Sequence, residues 1–119
     1  MSTELYEIHS LQVVDGTLSC EVVFNARHGI FEGHFPGNPI VPGVCTIGLI
    51  SELLRRAVQK DFRLVTAPNI KFLQLITPSI RPIVNISWTL EGQAYTANAT
   101  LKDGAATLFK MSATYAASE

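Results

Sequence analysis

Gly33-His34-Phe35-Pro36-Gly37-Asn38-Pro39-Ile40-Val41-Pro42-Gly43 places one histidine in a loop punctuated by glycines and prolines, immediately ahead of an apolar helical stretch. Each proline fixes its own φ and biases the preceding residue to extended geometry, and each glycine permits turns and close backbone approach. The imidazole of His34 is therefore held in a restricted region, as a general base must be. Gly43 opens the helix, so its N–H lies at the positive end of the helix, where it can bond an anionic or polarised oxygen. A base and an oxyanion donor thus stand nine positions apart.

Outward from this loop the chain reads as one domain, residues 1–119, of α+β class. Tyr6 to Val14 and Thr17 to Phe24 flank Asp15-Gly16, a hairpin turn signal, and Leu18, Cys20, Val22 and Phe24 alternate on one face. Gly43 to about Lys60 is the one long helix, with Ile47, Ile50, Leu53, Leu54, Ala57 and Val58 on its apolar side. Strands are expected over Arg63 to Ile76, Ile83 to Leu90, Ala94 to Leu101 and Ala105 to Tyr115. The short turns between the later strands make them antiparallel. One helix against five or six strands is a two-layer arrangement. An open sheet edge in a subunit of this size calls for a second copy, so a dimer is expected.

Composition removes several classes of function. Nine basic and ten acidic residues give a net charge of −1, which offers no footprint for nucleic acid or an anionic membrane. The most apolar run, Ile40 to Ile50, is broken by Pro42, Gly43 and Gly48 and is far shorter than the roughly 20 residues of a membrane span. Met1 to Glu7 has neither a basic nor an apolar leader region, so a cytoplasmic protein is expected. Cys20 and Cys45 are too few for a disulfide framework and read as small core residues. His9 and His28 have no partner at ligand spacing, so no metal and no cofactor are expected.

The segment from His28 to about Leu54 resembles the motif region of the hot-dog-fold 3-hydroxyacyl-acyl-carrier-protein dehydratases. In that family a histidine is followed by Phe-Pro-Gly-x-Pro-x-x-Pro-Gly and then the central helix. Asn69 to Leu73, continuing through Thr77-Pro78, looks like the family's strand returning across that helix. The resemblance implies a hot-dog fold, an antiparallel sheet wrapped around one long helix. It also implies dehydration of a 3-hydroxyacyl chain on an acyl-carrier protein to the trans-2-enoyl thioester, in a fatty-acid, polyketide or aryl-polyene type of pathway. His34 then matches the family's base and Gly43 its oxyanion-hole glycine.

One family feature is missing. The dehydratases carry a carboxylate on the helix fourteen positions after the histidine, and here that position is Gly48. Glu52, four residues on, lies within about 40° of the same face and roughly 6 Å further along the axis, and is the nearest helical acid. It reads either as a replacement or as a solvated partner of Arg55 or Arg56. Glu32, two residues before His34, is a further candidate, and water bridging into the space at Gly48 another. Phe31, Phe35 and Phe72 are placed to line an acyl tunnel, with Gly48 opening space beside it. Arg55 and Arg56 form a basic rim to which an acidic carrier protein could dock. Three functions stay open: the dehydratase, a hot-dog thioesterase, and a catalytically silent partner that binds acyl chains or completes a heterodimer with a subunit carrying the acid.

In the single-histidine mechanism implied, neutral His34 takes the α-proton, worth about 10²–10⁴ in rate. The Gly43 N–H stabilises the enolate oxygen, worth roughly 10²–10³. The imidazolium returns its proton to the departing hydroxide, assisted by Glu52 or water. His34→Ala is therefore expected to abolish dehydration and Glu52→Ala to slow it modestly, as read by enoyl-thioester formation. Equal turnover of wild type and His34→Ala would remove the mechanism.

Overall fold

The computed structural model describes residues 4–31 and 39–117. At Asp15 and Gly16 the backbone turns with φ of +44° and +77°, as a two-residue hairpin turn demands, and β1 (Tyr6–Val14) and β2 (Thr17–Phe24) pair antiparallel from Val14 and Thr17 outward. A single 3-10 turn, Gly29–Phe31, precedes α1 (Gly43–Val58). Four strands follow: β3 (Phe62–Phe72), β4 (Ile83–Glu91), β5 (Ala94–Asp103) and β6 (Ala106–Ala117). The six form one antiparallel sheet in the order β1-β2-β4-β5-β6-β3. The helix therefore carries the chain from the interior strand β2 to the far edge, β3.

Alternation along the strands decides which face is buried. Leu18, Cys20, Val22 and Phe24 of β2, Val84 and Ile86 of β4, Ala97, Ala99 and Leu101 of β5, and Phe109, Met111, Ala113 and Tyr115 of β6 all belong to the core. The helix contributes Leu49, Ile50, Leu53 and Leu54, together with Thr46, the one buried polar residue among those described. The buried stripe thus runs through 46, 49, 50, 53 and 54, while Ile47, Ala57 and Val58 are only partly buried. It is rotated from the face expected from the apolar residues alone. Small alanines in the middle of the sheet and branched side chains from the helix fill one interior.

Several boundaries differ by a residue or more from those read in the sequence, and two of them, the ends of α1 and β3, have a visible local reason. The helix ends at Val58, because Gln59 adopts the left-handed conformation (φ +56°, ψ +42°) and its N–H donates to the Arg55 carbonyl at 2.8 Å. β3 stops at Phe72, and residues 73–76 leave the ladder. The N–H groups of Leu73 and Gln74 donate to the Leu108 carbonyl at 2.9 and 3.2 Å, and the Ile76 carbonyl accepts from Val41 N–H at 2.7 Å. That last bond ties the strand exit to the approach of the helix.

Both sheet edges are irregular. In β1 the register slips between His9 and Gln12, with Ser10 at φ +56°. β3 breaks register twice against β6 near Val65 and Pro68. Even so, Leu64, Val65 and Phe72 of β3, Leu73 and Leu75 just beyond it, and Val44 at the head of α1 are exposed.

Across the core, Ser51 of α1 and the fully buried Tyr115 of β6 share a hydrogen bond of 3.1 Å, and Phe62 packs edge-on to Tyr115 at 5.2 Å between centroids. Tyr115→Phe removes only the hydroxyl and is expected to cost about 0.5–1.5 kcal/mol in denaturant unfolding. Burial pushes the Cys20 thiol up to about 11 from an ordinary 9.0. The native state thus holds its proton more tightly than the unfolded chain. The stability this gives is complete below about pH 9 and is lost as pH rises through the folded value. The Cys45 thiol is raised by burial as well. Both thiols are therefore expected to alkylate slowly at pH 8 in the native protein, Cys45 ahead of Cys20, and rapidly once it is unfolded, as read by mass spectrometry.

Candidate active site

Pro42 is the residue that starts the helix. Its φ of −61° and ψ of 144° are extended, its carbonyl accepts from the N–H groups of Cys45 and Thr46 at 3.0 and 3.3 Å, and it has no side chain able to cap. Buried Val41, pinned by its bond to Ile76, fixes the approach. Gly43 is thus the first helical residue, and among the described residues no acceptor meets its N–H. A Cβ at Gly43 would stand 2.8 Å from the Cζ of Phe72, so the tip of this ring sits against the glycine and only a hydrogen fits between them. Phe72 in turn leans on Phe109, with centroids 5.0 Å apart and planes tilted by 53°. Phe109 is fully buried and Phe72 is 53% exposed. The head of α1 is therefore an uncapped amide beside a half-exposed aromatic wall.

His34, Phe35 and Glu32 lie outside the described residues, and so does Asn38. The other residues read from the sequence fall in separate places. Gly43 and Phe72 meet at the helix head. Gly48 is exposed on the same stripe as Val44, four residues further along, and a Cβ built there has nothing within 4 Å. Position 48 therefore borders open space. Phe31 is buried among core residues; the 3-10 turn that holds it is made by His28, whose Nδ1 accepts from Ile30 N–H at 3.0 Å and whose carbonyl accepts from Phe31 N–H at 3.1 Å.

Glu52 stands apart from these. It pairs with Arg56 at 3.3 Å, an i to i+4 ion pair, and lies beside the phenol of Tyr6 on β1. Burial, with the neighbouring Glu52 carboxylate added to it, raises Tyr6 well above the usual phenol range. These residues line a recess of about 280 Å³ between β1 and α1. Of the two arginines weighed from the sequence, Arg56 is the one that pairs. Arg55 and Arg56 sit in the last turn and border a shallow depression with Gln59 and Lys60.

Sequence reasoning missed the engagement of Tyr6 with Glu52 and the contact of Phe72 with Gly43. Both join residues far apart in the chain, and neither has a local signal. Among the described residues no three His, Cys, Asp or Glu side chains are grouped to hold a metal, and no helix is long and apolar enough to cross a membrane.

Comparison with known proteins bears on this arrangement. The dehydratase heterocomplex ApeI:P from Xenorhabdus doucetiae superposes with a TM-score of 0.78 at 16% identity, over 93% of this chain and 97% of that one. An HP0420 homologue from Helicobacter felis gives 0.74 at 12% identity, over 99% and 93%. A hypothetical thioesterase from Streptococcus pneumoniae TIGR4, solved with coenzyme A, gives 0.66 at 16%, over 95% and 88%. These likenesses show the shared hot-dog fold. No curated protein matches the chain. Residues 10–108, which span β1 to β6 and include the histidine loop, the helix and the glycine at its head, match the ApeI-like family, described as ApeI dehydratase. The chain belongs to the ApeI-like dehydratase family.

Proposed function

We propose that the protein removes water from a 3-hydroxyacyl thioester carried on an acyl-carrier protein, giving the trans-2-enoyl thioester. His34 is the general base and the Gly43 N–H the oxyanion donor. The observation that carries this reading is the uncapped Gly43 amide at the helix head, beside the Phe72 ring, in a chain of a dehydratase family. The imidazole takes the α-proton, and the C–H electron pair passes to the thioester oxygen, held by the Gly43 N–H. When the enolate collapses, the β C–O bond breaks and the leaving hydroxide takes a proton and departs as water. Glu52 is already held by Arg56 and Tyr6, which favours the imidazolium of His34 as the proton source within this chain.

The substrate-bearing surface is completed by a second subunit. Val44 is 77% exposed, and Phe72, Leu73 and Leu75 add further exposed apolar area beside the β3 edge, where unpaired backbone groups call for another strand. The neighbour from Xenorhabdus doucetiae is named as a dehydratase heterocomplex. Gly48 faces open space where the family carries its acid, which favours a heterodimer whose other subunit brings the carboxylate; a homodimer is the alternative. A thioesterase needs a carboxylate free to activate water, and the engagement of Glu52 argues against that reading.

The test is an assay of the purified chain on a 3-hydroxyacyl carrier substrate. Enoyl product supports the proposal, and release of free acid overturns it. No product from the chain alone, with activity restored by a second hot-dog subunit, supports the heterodimer. Gly48→Glu has room for its side chain and replaces a helical glycine, so it is expected to keep or raise stability by about 0.5–1 kcal/mol. It is also expected to raise turnover of the chain alone by about tenfold or more, on the scale of a placed general acid. Unchanged turnover with a folded variant would show that no acid is lacking at that position.

A further inference from the structure

The sheet face turned away from α1 carries a polar recess unrelated to the helix head. The register sets Lys71 opposite Lys110 and Asn69 opposite Ser112 between β3 and β6, then Thr100 opposite Lys110 and Asn98 opposite Ser112 between β5 and β6. Their neighbours along the strands, Ile70, Met111, Ala99 and Leu101, pack in or against the core, so the six polar residues share the outer face. They border a depression of about 430 Å³.

Three features of this recess point to an anion. Two ammonium groups directly opposite each other on adjacent strands repel, an arrangement that natural sheets disfavour. Among the described residues neither lysine has a carboxylate within ion-pair distance, and β3 and β6 contain no Asp or Glu at all. Ser112 Oγ donates to Asn98 Oδ1 at 2.7 Å, which occupies the acceptor of that amide and leaves its NH₂ group to donate. The two ammonium groups, the amide NH₂ and the Thr100 hydroxyl are four donors spread over three strands; a carboxylate offers two oxygens in one plane, whereas a phosphate group spreads three oxygens or more in three dimensions and can give the donors separate acceptors. Lysine serves phosphate as a point charge without demanding a fixed fork. We propose that this recess binds a phosphate group, bridged by Lys71 and Lys110 and bonded by Asn98.

The test uses the whole chain, with inorganic phosphate as the probe, followed by backbone amide NMR at constant ionic strength. Saturable shifts confined to Lys71, Asn98, Thr100, Lys110 and Ser112 are expected, with Kd weakened roughly tenfold or more in Lys71→Gln/Lys110→Gln, the loss of charge-assisted bonds. Lys71→Arg/Lys110→Arg is expected to keep binding. Both positions are exposed, so these variants are expected to fold, and the amide spectrum itself reports it. Parallel titrations with 4′-phosphopantetheine and with AMP separate the two sources: a tighter Kd at these residues for one of them identifies the phosphate as that of a carrier arm or of a nucleotide. Shifts that do not saturate, that centre on Arg55 and Arg56, or that persist unchanged in the Gln variant overturn the proposal.

Discussion

The head of α1 is held in place by contacts that reach it from elsewhere in the chain. The helix has no side-chain cap, so its first turn is positioned from outside: by the Val41 bond to Ile76, by the burial of Val41, and by the Phe72 ring against Gly43. The Ile76 carbonyl and the Phe72 ring come from the end of β3 and the residues that follow it. A glycine at position 43 is what permits the ring so close, and the ring in turn rests on fully buried Phe109. The amide that defines the candidate site is thus held by the opposite edge of the sheet.

The two faces of the sheet are used differently. The inner face buries alanines beneath the branched residues of α1, and each large side chain removed from water contributes about 1.5–3 kcal/mol. The outer face presents Ser, Thr, Asn and Lys in cross-strand rows, with two lysines opposed. The strands themselves are equivalent; only the alternation of side chains separates a packed interior from a surface of hydrogen-bond donors.

Several local choices run against helix or strand stability without a packing gain. Gly48 costs about 0.5–1 kcal/mol relative to alanine in a helix and leaves open space. Val44 and Leu75 are exposed, and Gln59 ends α1 in a left-handed conformation that usually falls to glycine. Gly48 and Val44 share the solvent-facing stripe of α1, and Val44 sits at the same helix head as Phe72. Departures from local consistency of this kind are what a functional site tolerates.

Periodicity carried most of the secondary structure. The Asp15-Gly16 turn, the alternation of Leu18, Cys20, Val22 and Phe24, and the start of α1 at Gly43 stand where the chain pattern puts them, because turn chemistry and side-chain period are local properties. The histidine loop is also a reading of the sequence. What needed the tertiary structure were the partners of those residues. Leu49 and Thr46, rather than Ile47, face the core because the sheet, not the helix, chooses the buried stripe. Glu52 turns to Arg56 and to Tyr6, forty-six residues earlier, and Phe72 closes on Gly43, because folding brings distant segments together at distances no local pattern encodes. Local pattern settles which chemical groups are available and on which element each stands; the packing of α1 into the sheet settles which of them meet.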